Sequence, residues 1–210
     1  MKYIIFILIL LSSSLIHAQY SIGGGVSTFN STNSGITRLG INMFYEEPHN
    51  EVQTFYLRGM FTLPNNSKDT VSLTNLETFN TILRERTRTT NFIAVDGGTR
   101  RYIFNTYESP FAIYGSIHLK GVFSNYKEEI EDFDPEIYQA NDQIYDNSIA
   151  LLLGIGANLG FTYQFPYRGT LKFDTALDVF QRLYDPGAIL GNEIGGVGLT
   201  FNIAYRHDIF

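Results

Sequence analysis

The chain has 210 residues, a formal net charge of −6, 44% hydrophobic residues and no cysteine. The acidic balance argues against nucleic-acid binding, which requires a basic stripe, so no nucleic-acid partner is expected. Disulfides are excluded as a source of stability. The length is enough for one domain.

The first 18 residues have the pattern of a secretory signal peptide. Lys2 supplies a positive charge, residues 3–11 are apolar, and Ala18 ends a small-residue cleavage site. The apolar run is shorter than the about 20 residues that a transmembrane helix needs. We therefore predict cleavage after Ala18 and one mature domain over residues 19–210, with a retained membrane anchor as the alternative.

The rest of the chain alternates between apolar and polar residues with the period of a β-strand. In residues 149–165, for example, Leu151 and Leu153 share one face, and Gly154 and Gly156 share the other. Most segments reach the about 9–11 residues that cross a bilayer. The alternating segments cover residues 20–29, 36–46, 52–63, 91–105, 111–123, 149–165, 170–182 and 197–206.

The connections between these segments alternate in length. Short connections lie at residues 46–50, 106–110 and 166–169. Long connections lie at residues 64–90 and 124–147. The connection at 183–195 is intermediate, and a short one near 30–34 is the exception. Transmembrane barrels have short periplasmic turns and longer external loops. We therefore predict an all-β fold, a closed antiparallel transmembrane β-barrel of eight strands in an up-and-down meander, with both chain ends on the periplasmic side.

The two faces of these segments differ in chemistry, which indicates the side that meets lipid. A lipocalin-like secreted barrel would turn its apolar face inward around a ligand. In this chain several of the opposite faces carry Arg, Lys and Asp, which an apolar ligand pocket rarely contains. The sequence therefore favours an apolar face turned outward to lipid.

The charged faces then line the interior of the barrel. An eight-stranded barrel is narrow enough for side chains to fill it, and buried charges must pair. We expect Asp174 and Asp178 each to lie within salt-bridge reach of a base, so that the lumen is plugged; the alternative is a gated ion path. The predicted lumenal ion-pair network consists of Arg38, Arg58, Lys120, Lys172, Asp174, Asp178, Arg182 and Arg206.

The last segment resembles part of a known family. Residues 198–210 end in an aromatic residue, Phe210, and resemble the terminal strand that the barrel-assembly machinery reads. In a regular strand Phe210 would lie on the opposite face from Tyr205, whereas Ile209 would lie on the same face as Tyr205. The whole mature chain resembles the small eight-stranded outer-membrane barrels, such as OmpX and the membrane domain of OmpA. The resemblance implies the outer membrane of a Gram-negative bacterium, with outer-membrane lipid around the barrel and the barrel-assembly machinery as a partner during insertion.

Candidate catalytic residues are few. Ser116 and His118 share a polar face, which is compatible with a lipid-modifying enzyme because such an enzyme needs a nucleophile and a base close together. A polar filling of the lumen is favoured, since no third orienting group can be read from the spacing. No catalytic residue, cofactor or metal site is predicted. The acidic connection 124–147 lacks the spacing of a calcium loop, so a solvated loop is favoured there over a cation site.

The long connections bear on function. In 64–90, a capping-box pattern at Thr74 and apolar residues at helical spacing predict a short surface helix at about 75–86. The competing interpretation extends the strand at 91–105. The sequence favours a non-enzymatic barrel with a structural or surface-interaction role, in which loops 64–90 and 124–147 contact a protein partner. The alternatives are a lipid-modifying enzyme and a small ion pore.

Overall fold

The computed structural model describes residues 20–31, 37–141, 148–166, 169–184 and 196–209. These residues form ten β-strands: β1 Tyr20–Ser31, β2 Thr37–Asn50, β3 Gln53–Thr62, β4 Asn65–Asn75, β5 Thr81–Phe104, β6 Phe111–Ile130, β7 Tyr138–Ala140, β8 Ser148–Phe165, β9 Gly169–Tyr184 and β10 Gly196–Ile209. The predicted signal peptide at 1–18 and the parity of Phe210 lie outside the described residues. In the part of the chain described, no helix is long and apolar enough to cross a membrane.

Eight of the strands close into a barrel. Their order around the ring is β3-β2-β1-β10-β9-β8-β6-β5, and β3 closes the ring by pairing with β5. All of these pairings are antiparallel. The predicted eight-stranded up-and-down meander is therefore confirmed. Closure gives each of these strands two neighbours, which removes the free edges that an open sheet would expose.

β5 is the longest strand, with 24 residues, and belongs to both the barrel and a second sheet. Its second half pairs with β3, and its first half, residues 81–90, pairs with β4. β6 runs beside both halves of β5, and the short β7 pairs with the far end of β4. We call β4, β7, residues 81–90 of β5 and residues 124–130 of β6 the projecting sheet.

The projecting sheet corrects two predictions. The connections at 64–90 and 124–147 are not loops over their whole length, because β4, β5 and β6 extend through much of them. The helix predicted at 75–86 is wrong, and the competing interpretation, an extension of the strand at 91–105, is confirmed because β5 begins at Thr81. Asn75 Oδ1 instead accepts a hydrogen bond of 2.9 Å from the backbone N–H of Glu77, in a tight turn that leads to β5. A helix cap and this turn use the same chemistry, a side-chain oxygen that accepts a nearby backbone N–H group.

Side chains alternate across the barrel wall. Leu153 points outward and is 46% exposed, whereas the neighbouring Leu152 points inward and is fully buried. A lipocalin-like barrel would bury its large apolar face, so that arrangement does not fit. We call the outward apolar surface the apolar belt; its side chains include Leu39, Ile41, Phe55, Leu57, Ile117, Leu119, Leu153, Leu159, Phe161, Leu177, Val179, Phe201 and Ile203.

Three layers of side chains fill the lumen. An aromatic layer near the short turns consists of Tyr102, Tyr107, Ala112 and Tyr114. An apolar layer near the opposite end consists of Phe29, Met60, Phe92, Ala94, Val122, Ala150, Leu152 and Phe180. Charged side chains from β2, β3, β5, β6 and β9 are buried between the two. The alternation of each strand thus builds a charged layer enclosed by apolar ones.

Candidate functional site

The charged group nearest the short turns centres on Glu46, on the inward face of β2. Its carboxylate accepts hydrogen bonds from Lys172 and, at 2.8 Å, from the Thr54 hydroxyl. Glu46 Oε1 also lies 3.0 Å from Arg100 Nη1. The Arg100 guanidinium lies over the ring of Tyr56, 3.8 Å from its centroid. Because burial removes water from these groups, the two bases neutralise a carboxylate that would otherwise be an uncompensated buried charge.

The middle group centres on Arg58, on β3. Its Nε lies 3.0 Å from Asp96 Oδ2, and its Nη1 lies 3.1 Å from Asp174 Oδ1. Asp174 also accepts hydrogen bonds from the Tyr114 hydroxyl at 3.1 Å and the Asn202 amide at 2.7 Å. In the ring order, β9 and β3 are opposite one another. The Arg58–Asp174 pair therefore crosses the full width of the lumen.

The third group centres on Asp178, on β9. Its Oδ1 lies 2.6 Å from His118 Nε2, and its Oδ2 lies 2.5 Å from Lys120 Nζ. Asp178 Oδ2 also accepts a hydrogen bond of 3.2 Å from the Thr200 hydroxyl. A Cβ at Gly156 would lie 2.2 Å from Asp178 Oδ1 and 2.5 Å from His118 Nε2. The glycine on β8 therefore permits the close approach of these side chains.

The structure brings five of the predicted network residues into these groups: Arg58, Lys120, Lys172, Asp174 and Asp178. Arg206 lies in the lumen at the short-turn end, where its Nε is 2.9 Å from Asp208 Oδ1. Arg38 lies at the other end and donates to the Thr90 carbonyl at 3.0 Å. Arg182 keeps the inward parity of β9 but is exposed near the end of that strand. Arg182 therefore lies outside the three buried groups, at the exposed end of β9.

Three charged members of the groups were not predicted: Glu46, Asp96 and Arg100. Glu46 shares its parity with Arg38 on β2, and Asp96 shares its parity with Arg100 on β5. Strand parity was thus a sufficient signal for an inward position. The pairing itself depends on which strands lie next to and opposite one another, which the sequence pattern does not give.

The formal charges of the three groups balance, with four acids and four bases, while Arg38 and Arg206 lie nearer the two ends of the lumen. The buried acids are Glu46, Asp96, Asp174 and Asp178. The buried bases are Arg58, Arg100, Lys120 and Lys172. Selective ion paths are lined by rings of like charge or by carbonyl oxygens. A balanced layer of ion pairs between two apolar layers favours a plug instead.

Ser116 and His118 are not joined as a nucleophile and a base. Ser116 Oγ donates to Asn158 Oδ1 at 2.6 Å, and His118 Nε2 is engaged by Asp178 at 2.6 Å. Successive residues on one face of a strand are separated by about 6.8 Å, which is too far for a direct hydrogen bond. Within the described residues, the other ring nitrogen, His118 Nδ1, has no hydrogen-bond partner. The geometry therefore supplies a buried His–Asp pair in which Ser116 takes no part, because its hydroxyl is bonded to Asn158 instead.

The projecting sheet carries a second set of ion pairs. Arg86 donates to both carboxylate oxygens of Asp69, at 2.9 and 2.6 Å, and Arg88 Nε lies 3.1 Å from Glu128 Oε1. The hydrogen bonds from Arg86, together with the charge of Arg88, lower the pKa of Asp69 below its ordinary value. These pairs join β4, β5 and β6 across the sheet. The same sheet also buries apolar side chains, among them Val71, Leu73 and Tyr126.

The acidic connection at 124–147 is described as far as Asn141. Its first residues continue β6, where Glu128 contacts Arg88 and Glu129 contacts Lys127. In the described ranges, no group of three or more His, Cys, Asp or Glu side chains could hold a metal ion. At least two carboxylates of this acidic connection, those of Glu128 and Glu129, are therefore paired with bases.

The far end of the projecting sheet exposes apolar side chains. Phe79 lies in the turn between β4 and β5, has a φ of 55° and is 79% exposed. The backbone N–H of Leu76 donates to the carbonyl of Ile137 at 2.9 Å, and both side chains are exposed. We call Leu76, Phe79 and Ile137 the tip patch. Exposed apolar side chains that adjoin one another are a feature of protein contact sites.

No family model matches the sequence, and none of the curated proteins matches it. Solved structures with the same fold are small outer-membrane proteins. A major outer membrane protein of Thermus thermophilus has a TM-score of 0.55 at 13% identity, over 91% of this chain and 100% of that one. Neisserial surface protein A has a TM-score of 0.53 at 9% identity, over 90% and 95%. Ail, the attachment invasion locus protein of Yersinia pestis, in complex with the heparin analogue sucrose octasulfate, has a TM-score of 0.51 at 11% identity, over 91% and 100%. The chain therefore has the fold of the small outer-membrane β-barrels.

Proposed function

We propose that this chain is a non-enzymatic outer-membrane protein of a Gram-negative bacterium, exported by a signal peptide that is cleaved after Ala18. Its barrel is plugged and holds the projecting sheet at the cell surface, where the sheet contacts a protein partner. One observation carries the proposal. The strand β5 runs continuously from the filled, closed barrel into the projecting sheet, so the barrel holds that sheet directly.

The apolar belt supports a position in the membrane. Leu153 and Phe201 are each 46% exposed, and soluble monomers rarely expose large contiguous apolar patches. A closed barrel pairs its backbone N–H and C=O groups between strands, which lipid requires. Outer-membrane lipid then surrounds the belt. The resemblance of the last strand supports the barrel-assembly machinery as the partner during insertion.

The two ends of the barrel support one orientation. At one end, short turns lie beside β1 and β10, and the Tyr107 hydroxyl forms a hydrogen bond with Ser21. The opposite end continues into the projecting sheet. Periplasmic turns are the short ones in transmembrane barrels. The projecting sheet therefore faces the outside of the cell.

The projecting sheet favours a protein partner. The tip patch is apolar, and Phe79 is its most exposed side chain. Arg86 and Arg88 are both paired with acids, so they do not offer the uncompensated basic surface that a polysulfated sugar would need. An apolar tip on a charge-paired sheet is suited to a protein surface with an apolar pocket.

Capture experiments test the role of the sheet. The tagged protein, solubilised from its own membrane, should retain a partner that Phe79→Asp loses. Val52→Asp is the matched control, because Val52 is also exposed but lies in the turn at the opposite end of the barrel. Identical capture by both variants would contradict the proposal.

Membrane placement, conductance and enzymatic activity have separate tests. The processed protein should fractionate with outer membranes and migrate differently on a gel before and after heating. Recovery as a soluble periplasmic species would overturn the membrane placement. Steady conductance in planar bilayers would support the pore alternative, and altered lipid A would support the enzyme that uses Ser116 and His118.

A further inference from the structure

A groove on the outside of the barrel crosses β10, β1, β2 and β3. Gly24 pairs with both Tyr205 and Met43, and Met43 pairs with Gly59, so these residues stand in one row. The groove has a volume of about 590 Å³. Sites for small molecules occupy about 300–1,000 Å³. The apolar belt is therefore interrupted at this position by a shallow, open depression beside Met43, wide enough for part of a ligand.

Two glycines give the groove its depth, and packing does not impose the one at Gly59. A Cβ at Gly59 would meet no atom within 4 Å, and one at Gly24 would lie 3.2 Å from the Asn42 carbonyl oxygen. By contrast, a Cβ at Gly25 would lie 2.0 Å from the Ile203 carbonyl oxygen, so that glycine is needed for close approach. Glycine inside a strand lowers stability because it loses more conformational freedom on folding than other residues and has no side chain to pack against its neighbours. At Gly59 this cost has no counterpart in the barrel itself, whereas at Gly24 the close Asn42 carbonyl oxygen already disfavours a side chain.

The groove ends in polar groups toward the short turns. In the next row, Ile22 pairs with both His207 and Tyr45, and all three line the groove. His207 presents an imidazole, and the Tyr45 hydroxyl donates to Glu47 Oε2 at 3.2 Å. An apolar channel that opens onto an imidazole and a carboxylate matches an amphiphile with an alkyl chain and a headgroup of both charges.

We propose that this groove binds one glycerophospholipid of the periplasmic leaflet. An acyl chain lies over Gly24 and Gly59, and the phosphate accepts a hydrogen bond from His207. Glu47, beside the groove, favours an ammonium-bearing headgroup such as ethanolamine over an anionic one. The proposal rests on the membrane placement proposed above, because only that placement brings the groove into contact with lipid.

Photolabelling tests the site in the full mature protein. The protein is reconstituted in vesicles that contain phosphatidylethanolamine with a photoactivatable acyl chain, and labelled peptides are mapped. Labelling should concentrate on β1, β2 and β3. Gly59→Leu should lower it about tenfold, which corresponds to about 1.4 kcal/mol of binding free energy. Met43→Trp fills the groove from the neighbouring strand and serves the same purpose if Gly59→Leu fails to fold.

Matched variants separate this site from general contact with lipid. Gly121→Leu places the same side chain on the outward face of β6, where a Cβ would lie 3.9 Å from Phe123, and should leave labelling unchanged. His207→Ala should reduce the preference for the phospholipid over a phosphate-free diacylglycerol probe. Gel mobility before and after heating confirms that each variant is folded.

Three results would overturn the proposal. They are uniform labelling around the barrel, equal labelling of the Gly59→Leu and Gly121→Leu variants, and cross-linked dimers through the groove in place of lipid. The last result would assign the groove to a second copy of the chain. Failure of the membrane placement has a different signature, since the wild-type protein would then be recovered in the soluble fraction.

Discussion

The lumen and the projecting sheet contain ion pairs of the same length in different surroundings. Lys120 and Asp178 lie 2.5 Å apart with side chains 1% and 0% exposed. Lys68 and Glu85 also lie 2.5 Å apart, but their side chains are 65% and 46% exposed. Water screens the exposed pair, whereas loss of one partner in the lumen leaves an uncompensated buried charge. Burial, not distance, therefore separates a region that depends on its charges from one that tolerates their loss.

The largest effect is expected from Asp178→Ala, which removes the shared partner of His118 and Lys120. Breaking a buried pair typically costs about 3–5 kcal/mol, and water in the lumen would reduce that cost. Urea unfolding in vesicles, followed by gel mobility, should show a lower midpoint, while conductance in planar bilayers stays low because the apolar layer remains.

A double variant provides the control for this prediction. Asp178→Leu combined with Lys120→Met removes both charges, so it should be more stable than Asp178→Ala. An unchanged midpoint in Asp178→Ala would show that the lumen is not held by its charges.

Arginine substitutions compare the barrel wall with the sheet directly. Leu153→Arg should destabilise the protein by about 2–4 kcal/mol if the site lies near the middle of the bilayer. Leu83→Arg is the matched control, because Leu83 is exposed on the projecting sheet, where arginine stays in water. Equal stability of the two variants, measured as the urea midpoint in vesicles, would contradict the assigned position of the apolar belt.

Gly156→Ala tests the packing around the Asp178 group. The new Cβ would lie 2.2 Å from Asp178 Oδ1, so the pair with His118 must shift. Overpacking of a dense interior costs about 1–3 kcal/mol. Gly59→Ala is the matched control, since its Cβ would meet no atom within 4 Å. Thermal gel-shift curves should therefore separate the two variants, and coincident curves would argue against a tightly packed lumen.

The smallest effect is expected from Asp69→Asn in the projecting sheet, about 1 kcal/mol, because Asp69 is partly exposed and Arg86 keeps a second acid, Glu128, at 3.7 Å. The pKa of Asp69 is lower in the folded state, so its stabilising effect is complete above its ordinary value of 3.8 and is lost as the pH falls through the lowered value. Hydrogen exchange of residues 65–90 should accelerate in that acidic range before the barrel opens. Asp69→Asn should remove this acceleration, and an identical pH profile in the variant would assign it to another group.

Much of the barrel was predictable from the sequence, because lipid imposes an alternation that a single strand reveals. Of the projecting sheet, only the extension of the strand at 91–105 was predicted, and only as the competing interpretation. A strand in water needs no continuous apolar face, and β4, with Lys68, Asp69 and Thr70, has little alternation to detect. Asn75 added an ambiguity, since a side-chain oxygen that caps a helix also closes a turn.

The charged layer was predictable only in part. Parity placed Asp174 and Asp178 on one face of β9, but it did not indicate that Arg58 crosses the lumen to Asp174. That contact depends on the ring order, a long-range property of the fold. Arg182 shows a second limit of the sequence pattern. Parity gives the face of the strand on which a side chain lies, but it does not show where along its length the strand extends beyond the barrel interior.

The pairing of the first barrel strand with the last has a kinetic consequence. Tyr20 lies opposite Ile209, so the seam joins positions at nearly opposite ends of the polypeptide. Contacts this distant in sequence form slowly, because the loop entropy must be paid before they form. Until β10 reaches β1, both strands present unpaired edges that can associate with other chains. The seam is therefore expected to close slowly and to expose two strand edges to other chains until it does.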